Sequence, residues 1–420
     1  MIYKKLLIIS NNGFSESNSN GRTLLNFFSA EDKINLAQFY LRSDKTDFNV
    51  CNNYFFASDT AVLKGVLKRK SAGSIVREIT LDNDEASSSK SSKKITKNPF
   101  TMLVRKFFWS SKTWRKDFYN WVNDFKPECI LLQAGDAPFL YNIAVEIAKK
   151  YNVPMVIYNS EDYYFKNYNY FKNSKITGAL YPLFHLVLKK AVKKAIDYAS
   201  VSIYISDDLK DTYDKEFNKK SVAIYTAATV KPNLTDTKKP IFSYLGNLGV
   251  DRHIGLIKIA EALNKINPDY KLDVYGKLPN YTVKKCFEDC DFLSYRGLIG
   301  YDEVKEIISK SMLVFHTESM DPFYCKDIKH GFSTKIADSL ASGTCFVIFA
   351  PEMLSCTKYV KENKCGCVIT DESEIEQKLK EIIADEELRN KYISNALRVV
   401  EKNHNLKKNK DKFADIINNL

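Results

Sequence analysis

A chain of 420 residues is longer than one hydrophobic core ordinarily serves, because single cores stop growing at about 250 to 300 residues, so two domains of similar size are expected. Hydrophobic residues at 45% and charged residues at 27% are the proportions of a soluble globular protein, and the sequence has no run of about 18 apolar residues that would span a bilayer. Lys and Arg outnumber Asp and Glu by 63 to 51, a formal charge of +12, which calls for nucleic acid, a phosphorylated small molecule or a membrane surface as partner; the sequence carries no nucleic-acid-binding module, and nucleic acid is set aside.

The start, MIYKKLLIISNNG, has too short an apolar core for a signal peptide and runs into Asn-Asn-Gly, so KLLIIS (5–10) is expected to be a first buried strand. The polar loop SNNGFSESNSNGRT (10–23) follows, in which Gly13 and Gly21 let backbone approach a ligand, and then a helix carrying Leu24, Leu25, Phe27 and Phe28. Residues 67–121 break the pattern. A Ser/Lys-rich stretch of loop composition precedes FTMLVRKFFWSSKTWRKDFYNW, where Phe107, Phe108, Trp109 and Trp114 alternate with Arg105, Lys106, Lys112, Arg115 and Lys116. Two readings stand for it: a helix lying on an anionic membrane, or a helix packing its aromatics on the core with its lysines in water.

Strand CILLQA (129–134) leads to a helix from about Pro138, and PMVIYN and SVSIYIS follow with a long helix between them. After SVAIYTA (221–227) comes TVKPNLTDTKKP, which lacks periodicity and is expected to link the domains. A second series starts at IFSYLG (241–246) and continues through KLDVYG, FLSYRG, MLVFHT, CFVIFAP and GCVIT, before a charged helical region from about Glu372. Short apolar runs separated by helices imply parallel strands covered on both faces, hence an α/β protein of two doubly wound domains. The boundaries expected are 1–232, 233–400, and a C-terminal helix over 401–420 that can cross back to the first domain. Nine scattered cysteines fit reduced thiols, and the near pairs Cys286/Cys290 and Cys365/Cys367 lack companion zinc ligands.

In open α/β sheets ligands bind beyond the carboxyl ends of the strands. YLGNLGVDRHIG (244–255) brings Asp251-Arg252 into a helix after two glycines, a shape that sets a guanidinium against phosphate. DVYGKLP and FLSYRGLIGYDEV end their strands on Gly276 and Gly297. GFSTKIADSLASG (331–343) is a helix whose mouth offers Ser333, Thr334 and Lys335 to a diphosphate while Ile336 and Leu340 face the core.

HGFSTKIADSLASGTCFVIFAP resembles the signature region of retaining GT-B glycosyltransferases of the GT4 type, in which two glutamates separated by seven residues precede a small-residue-Gly turn. Here His330 and Asp338 occupy the two acidic positions. YLGNLGVDRHIG is similar to the family's phosphate-binding turn, with Asn247 where arginine is usual and Arg252 where lysine is usual. YRGLIGYDEV resembles the loop against the nucleotide base, and PMVIYNSEDYYF the strand that usually ends in His-Asp; Glu161-Asp162 stand there, and Gln133-Ala-Gly-Asp136 replaces a His-x-His-Asp run.

The resemblance implies two Rossmann-like domains facing each other across a cleft, and transfer of a sugar, with retention, from a UDP- or GDP-linked donor to a saccharide or lipid-linked acceptor. It places the donor on Gly13, Asn247, Arg252, Gly276, Lys277, Gly297, Leu298, Ser333, Thr334, Lys335 and Asp338, and chemistry at the sugar on Asp136, Glu161, Asp162 and His330. No metal or other cofactor is implied. Asp82-Asn83-Asp84 and Asp289-Cys290-Asp291 have the form of a metal motif but lie in a Ser/Lys loop and before a strand. Because His330 removes a negative charge beside the transferred sugar, a non-catalytic subunit of a membrane polysaccharide assembly stays open, as does a nucleotide-sugar epimerase of the same fold. The expected setting is a bacterial cytoplasm, with peripheral contact through about 100–121 to the inner face of the plasma membrane.

Overall fold

The computed structural model describes residues 3–15, 19–42, 46–78, 97–171, 178–234 and 238–420. The chain divides into two compact units, Met1–Ile224 with Lys407–Leu420 and Tyr225–Leu406. In the first, the described strands are β1 (Leu6–Ile9), β2 (Leu36–Tyr40), β3 (Asn53–Phe56), β4 (Ser74–Val76), β5 (Cys129–Gln133), β6 (Met155–Asn159), β7 (Val201–Tyr204) and β8 (Ser221–Ala223). They form one sheet in the order β4-β3-β2-β1-β5-β6-β7-β8, parallel except where β4 pairs with β3.

The second unit holds β9 (Lys239–Leu245), β10 (Leu272–Tyr275), β11 (Leu293–Gly297), β12 (Ser311–Thr317), β13 (Cys345–Phe349) and β14 (Cys367–Ile369). Their order is β11-β10-β9-β12-β13-β14, all parallel. Each sheet is built outward from its first strand to one edge and then outward again on the other side. The order reverses between β1 and β5 in one unit and between β9 and β12 in the other, and a doubly wound sheet opens its ligand crevice at such a reversal. Register keeps the strand ends level there, with Ile9 opposite Leu132 and Tyr244 opposite Phe315.

The elements follow from local chemistry. Strands β1, β5 and β6 are buried at every position, as parallel strands covered on both faces must be. The helix Pro138–Tyr151 opens on a proline, whose missing N–H costs nothing in the first turn. It buries Phe139, Ile143 and Ile147 at four-residue spacing and ends at Asn152, whose N–H returns to the Ala148 and Lys149 carbonyls. The helix Leu406–Asn418 contributes Phe413, stacked on Phe27 at 4.2 Å, to the core of the first unit, and Lys412 Nζ bonds the Ala223 carbonyl at 2.9 Å.

Several expectations change. The helix after β1 is Ser19–Leu25, and Phe27 and Phe28 are buried beyond its end in a turn bonded to the Leu24 and Leu25 carbonyls. Residues 16–18 of the preceding loop and the whole of Asp82-Asn83-Asp84 lie outside the described residues. Within the Pro/Asn/Thr/Lys stretch, Asn233 N bonds Ser342 O and Thr229 bonds Asp338, so its described part is integral to the second unit.

In the basic-aromatic segment the core-packing reading describes most of the aromatics. The segment forms the helices Pro99–Ser110 and Lys116–Phe125, and Phe108, Trp109 and Trp114 are buried, Trp109 stacking on Phe139 at 4.6 Å. Arg105 and Arg115 turn inward with them, to Asp59 at 2.9 Å and Glu146 at 2.8 Å. What faces solvent on Pro99–Ser110 is Phe100, Val104 and Phe107 instead.

Candidate functional site

In the second unit the loop after β9 and the end of β12 meet at the reversal. Val250 and Asp251 take positive φ, and the helix Arg252–Ile266 starts immediately after them. Arg252 Nη1 donates to the Gly249 carbonyl at 3.2 Å, and its Nη2 lies 2.6 Å from Glu318 Oε2 just past β12. Glu318 is 6% exposed and also bonds His316 Nε2 at 3.0 Å. Burial pushes the Glu318 carboxyl up, but the hydrogen bond and charge from His316 and the Arg252 charge outweigh it and hold the group below the usual carboxylate range. Arg252 is therefore a cation whose charge is matched from behind, oriented rather than mobile.

Beside it three strand ends are laid together. Gly246 N bonds Tyr275 O at 2.9 Å, Gly276 N bonds Gly297 O at 2.8 Å, and any Cβ at Gly276 would run into the Gly246 carbonyl. Asn247 folds its side chain back to Gly249 N at 2.9 Å, holding the turn that a longer residue would extend beyond. Lys277 is exposed and Leu298 75% exposed, both at the rim of these loops.

The helix Thr334–Ala341 lies between β12 and β13. Ser333 is its cap residue but makes no side-chain cap bond, so the cap hydroxyl is not spent on the first turn. Ile336, Ala337 and Leu340 are buried, Lys335 is exposed and Asp338 half-buried. His330 is 8% exposed in the tight turn ahead of the helix, where Gly331 N bonds Ile328 O at 2.8 Å.

Phe332 locks that turn. It packs among Tyr225, Tyr359 and His404, and stacks on the His404 ring at 5.9 Å. His404 Nδ1 lies 2.7 Å from the Thr226 carbonyl, so it carries the proton, and Nε2 accepts from Tyr359 Oη at 2.9 Å. Burial pulls the His404 pKa down to about 4, so the ring is neutral at neutral pH. His404 closes a π-helical turn, Val400–His404, a kind of insertion that recurs near functional sites.

In the first unit the loops after β1 and β5 touch at the other reversal: a Cβ on Gly135 would meet the Asn11 side chain. Gly13 lies against the Tyr40 ring, and Phe14 N bonds Gln38 Oε1 at 2.9 Å. Asp136 pairs with Lys97, and the exposed Glu161 lies 3.9 Å from Lys166 Nζ. Burial, with help from the Glu161 and Asp136 carboxylates, raises the Tyr163 phenol, which marks these groups as one polar cluster. Asp162 does different work. Its Oδ1 accepts from Tyr164 N, Phe165 N and Tyr213 Oη at 2.9 to 3.0 Å, so it fixes the turn after β6.

Sequence reasoning missed Glu318, His316, Lys97, Tyr301 and Thr229. The HTES run ending β12 was the one local signal, since acid and imidazole at the end of a buried strand need partners.

Residues 227–399, all within the second unit, match the family model of glycosyl transferases group 1. No curated protein matches the chain. Among solved structures, Anabaena Alr3699/HepE in complex with UDP aligns at TM-score 0.65 and 11% identity over 99% of this chain and 100% of that one. Sucrose-phosphate synthase from Thermosynechococcus elongatus aligns at TM-score 0.64 and 12% identity, covering 98% of each chain. WaaG, a glycosyltransferase involved in lipopolysaccharide biosynthesis, aligns at 0.57 and 12% identity over 98% of this chain and 99% of that one. At such identities the likeness is one of fold, and the fold is GT-B: two α/β domains on parallel sheets.

Proposed function

We propose that the chain is a retaining, metal-independent glycosyltransferase of the GT4 type. It moves a sugar from a UDP- or GDP-linked donor to a saccharide or lipid-linked acceptor in the assembly of a bacterial surface glycan. The observation that carries the reading lies inside the stretch matching the family model. Arg252, on a helix entering at the β9/β12 reversal, and Ser333, Thr334 and Lys335, at the mouth of a second helix, are the donors and cations a diphosphate needs.

Negative charge grows on the leaving phosphate oxygen as the glycosidic bond breaks. Fixed amides and cations aimed at that oxygen stabilise it more than they stabilise the intact donor, which is what lowers a barrier. Glu318 matches the charge of Arg252, and Lys335 and the helix N-termini add to the positive field that a diphosphate would meet. The departing phosphate then takes the acceptor's proton. Asp136 and Glu161 position the acceptor or stabilise the oxocarbenium-like sugar, and His330 lies at the sugar as a hydrogen-bonding group. The Anabaena structure was obtained with UDP, which makes UDP-sugars the first donors to try.

Peripheral contact with an anionic membrane belongs to this reading, carried by the outward Phe100, Val104 and Phe107 rather than by the buried tryptophans. The test is turnover and nucleotide binding across a panel of UDP- and GDP-sugars. Release of the nucleoside diphosphate with at least one donor is expected; no binding and no turnover with any of them removes the enzyme reading and leaves the non-catalytic subunit.

A further inference from the structure

Two carboxylates among the loops assigned to the donor are answered in different ways. Asp338 is met by neutral groups: its Oδ1 accepts from Thr229 N at 2.9 Å and its Oδ2 from Tyr301 Oη at 2.7 Å. Glu318, 6% exposed, is met by a guanidinium and an imidazole, Arg252 Nη2 at 2.6 Å from Oε2 and His316 Nε2 at 3.0 Å from Oε1. A carboxylate held below its usual range accepts and does not donate, so His316 Nε2 carries the proton between them. The other ring nitrogen, Nδ1, has no hydrogen-bond partner among the described residues, so a second proton can be added there without breaking the contact to Glu318. The ring is buried at the end of β12, with Phe346 of β13 tilted beside it at 6.4 Å. Three further titratable groups reach Glu318 from other elements: Tyr244 on β9, Cys325 on the helix Pro322–Ile328 and Cys356 on the helix Ser355–Asn363. Burial raises all three, so they stay neutral. Asp321, beside Cys325, is spent as that helix's cap, accepting from Phe323 N at 2.8 Å. Imidazole is the one chemical type in this set whose charge ordinarily changes near neutral pH.

We propose that His316 is a positioning residue that acts by proton linkage: when the donor's diphosphate settles on Arg252, a proton from solvent moves onto His316 Nδ1. The inference rests on the donor-site reading above. Arg252 is already committed, through Nη1 to the Gly249 carbonyl and through Nη2 to Glu318. A diphosphate therefore has two ways to use it. If the guanidinium turns to the phosphate, Glu318 loses its matching charge while still buried, and a buried carboxylate left without a cation is costly. If the guanidinium is shared, the phosphate's charge is added to a pair that was already balanced. Either way the surroundings become more negative, and an imidazole in contact with Glu318 binds its second proton more strongly. Protonated at both nitrogens, His316 gives Glu318 a cation of its own while the guanidinium holds the phosphate. The step forms one N–H bond, and the buffer supplies the proton. Linkage runs in both directions: if binding takes up a proton, lowering the pH tightens binding.

The experiment is calorimetric titration of the full chain with UDP-glucose, GDP-glucose, UDP and GDP, in buffers of different ionisation enthalpy, which counts the protons exchanged on binding. It is run on the unchanged protein and on His316→Gln, His253→Gln and His330→Gln, with thermal melts to confirm folding. Glutamine at 316 keeps an N–H for Glu318 but has no place for a second proton. The unchanged protein is expected to take up about half a proton per nucleotide at about pH 7, and to bind about tenfold more tightly at about pH 6 than at about pH 8, as a one-unit rise in an imidazole pKa on binding requires. In His316→Gln the uptake should vanish and the affinity become flat across that range, while His253→Gln and His330→Gln keep both. The terminal phosphate of UDP or GDP can exchange a proton itself, but it does so with every variant, so the difference between the unchanged protein and His316→Gln belongs to His316. A role confined to orienting Glu318 would change affinity and move no protons. No difference in proton uptake between the unchanged protein and His316→Gln, or an uptake lost in His253→Gln or His330→Gln instead, overturns the inference while the donor site stands. No binding of any of the four ligands by the unchanged protein removes the donor-site reading and the inference together.

Discussion

The helices Pro99–Ser110 and Thr334–Ala341 have opposite relations to their surroundings, although each mixes apolar and basic residues. In Thr334–Ala341 the apolar residues Ile336 and Leu340 face inward and the basic residue Lys335 outward. In Pro99–Ser110 the phase is reversed: Arg105 points in, while Phe100, Val104 and Phe107, at four- and three-residue steps, point out. The difference lies in what each interior offers. Behind Arg105 stands Asp59, which also accepts from Trp109 Nε1 at 2.7 Å, so a charged residue is worth burying there.

The largest expected effect tests the inward face of the first helix. Trp109 is fully buried between Phe139 and Trp114, and Trp109→Ala should cost about 3 to 5 kcal/mol of stability, read from denaturant unfolding, because the cavity left cannot collapse around stacked rings. A loss under about 1 kcal/mol would mean that this helix is only loosely docked, and the contrast with Thr334–Ala341 would dissolve.

On the other helix the outward residues should matter for turnover and not for stability. Lys335→Ala, and separately Arg252→Ala, are expected to lower kcat/KM for the best donor about 100-fold with the melting temperature nearly unchanged for Lys335. Glu318→Gln probes the pairing of Arg252: with the matching charge gone the guanidinium is less fixed, and kcat should fall more than nucleotide affinity. Unchanged kinetics in both lysine and arginine variants would move the phosphates elsewhere.

The loop feeding Thr334–Ala341 brings a pH dependence. The unfolded chain binds a proton at His404 near its ordinary pKa of 6.5, whereas the folded protein binds it only near about 4. Stability is therefore full above pH 6.5 and falls as the pH drops toward 4, by about 3 kcal/mol from this group. Unfolding free energies measured across that window should lose most of this slope in His404→Gln. A slope that persists in the variant would assign the effect to other groups.

Much of the fold was legible because it is written in short-range pattern. Apolar runs such as CILLQ and MVIYN alternate with helices, and parallel strands buried on both faces leave no other solution. The phosphate-binding candidates were legible for a similar reason, since a helix start shows itself in three or four adjacent residues such as Ser333 to Lys335. The phase of Pro99–Ser110 was not. It depends on Asp59, 46 residues before Arg105, and on Glu146, 31 residues after Arg115, and nothing in the local spacing announces either. Tyr301 and Thr229 were hidden in the same way, 37 and 109 residues from Asp338. Glu318 ends a strand, and its partner Arg252 comes from a different loop, so the pairing is not visible in local sequence.

The smallest expected effect concerns the outward stripe. Pro99–Ser110 packs against the helices Asp59–Lys68 and Tyr181–Tyr198, and both of these also leave large apolar side chains in solvent, Leu67 on one and Leu183 and Leu186 on the other. The exposed charges carried by the same helices include Lys64, Lys68 and Lys190. A second copy of the chain would have to set one basic rim against another, whereas a bilayer containing anionic lipid answers both the apolar residues and the lysines. Phe107, 78% exposed, contributes nothing visible to folding, so Phe107→Asp should melt as the unchanged protein does. In sedimentation with phosphatidylglycerol-containing vesicles it should bind about tenfold more weakly, since a buried phenyl ring is worth about 2 kcal/mol. Phosphatidylcholine vesicles should bind neither protein well. Equal sedimentation of variant and unchanged protein would show that the stripe does not enter the bilayer, and the reversal of phase in this helix would then have only its buried arginine to explain it.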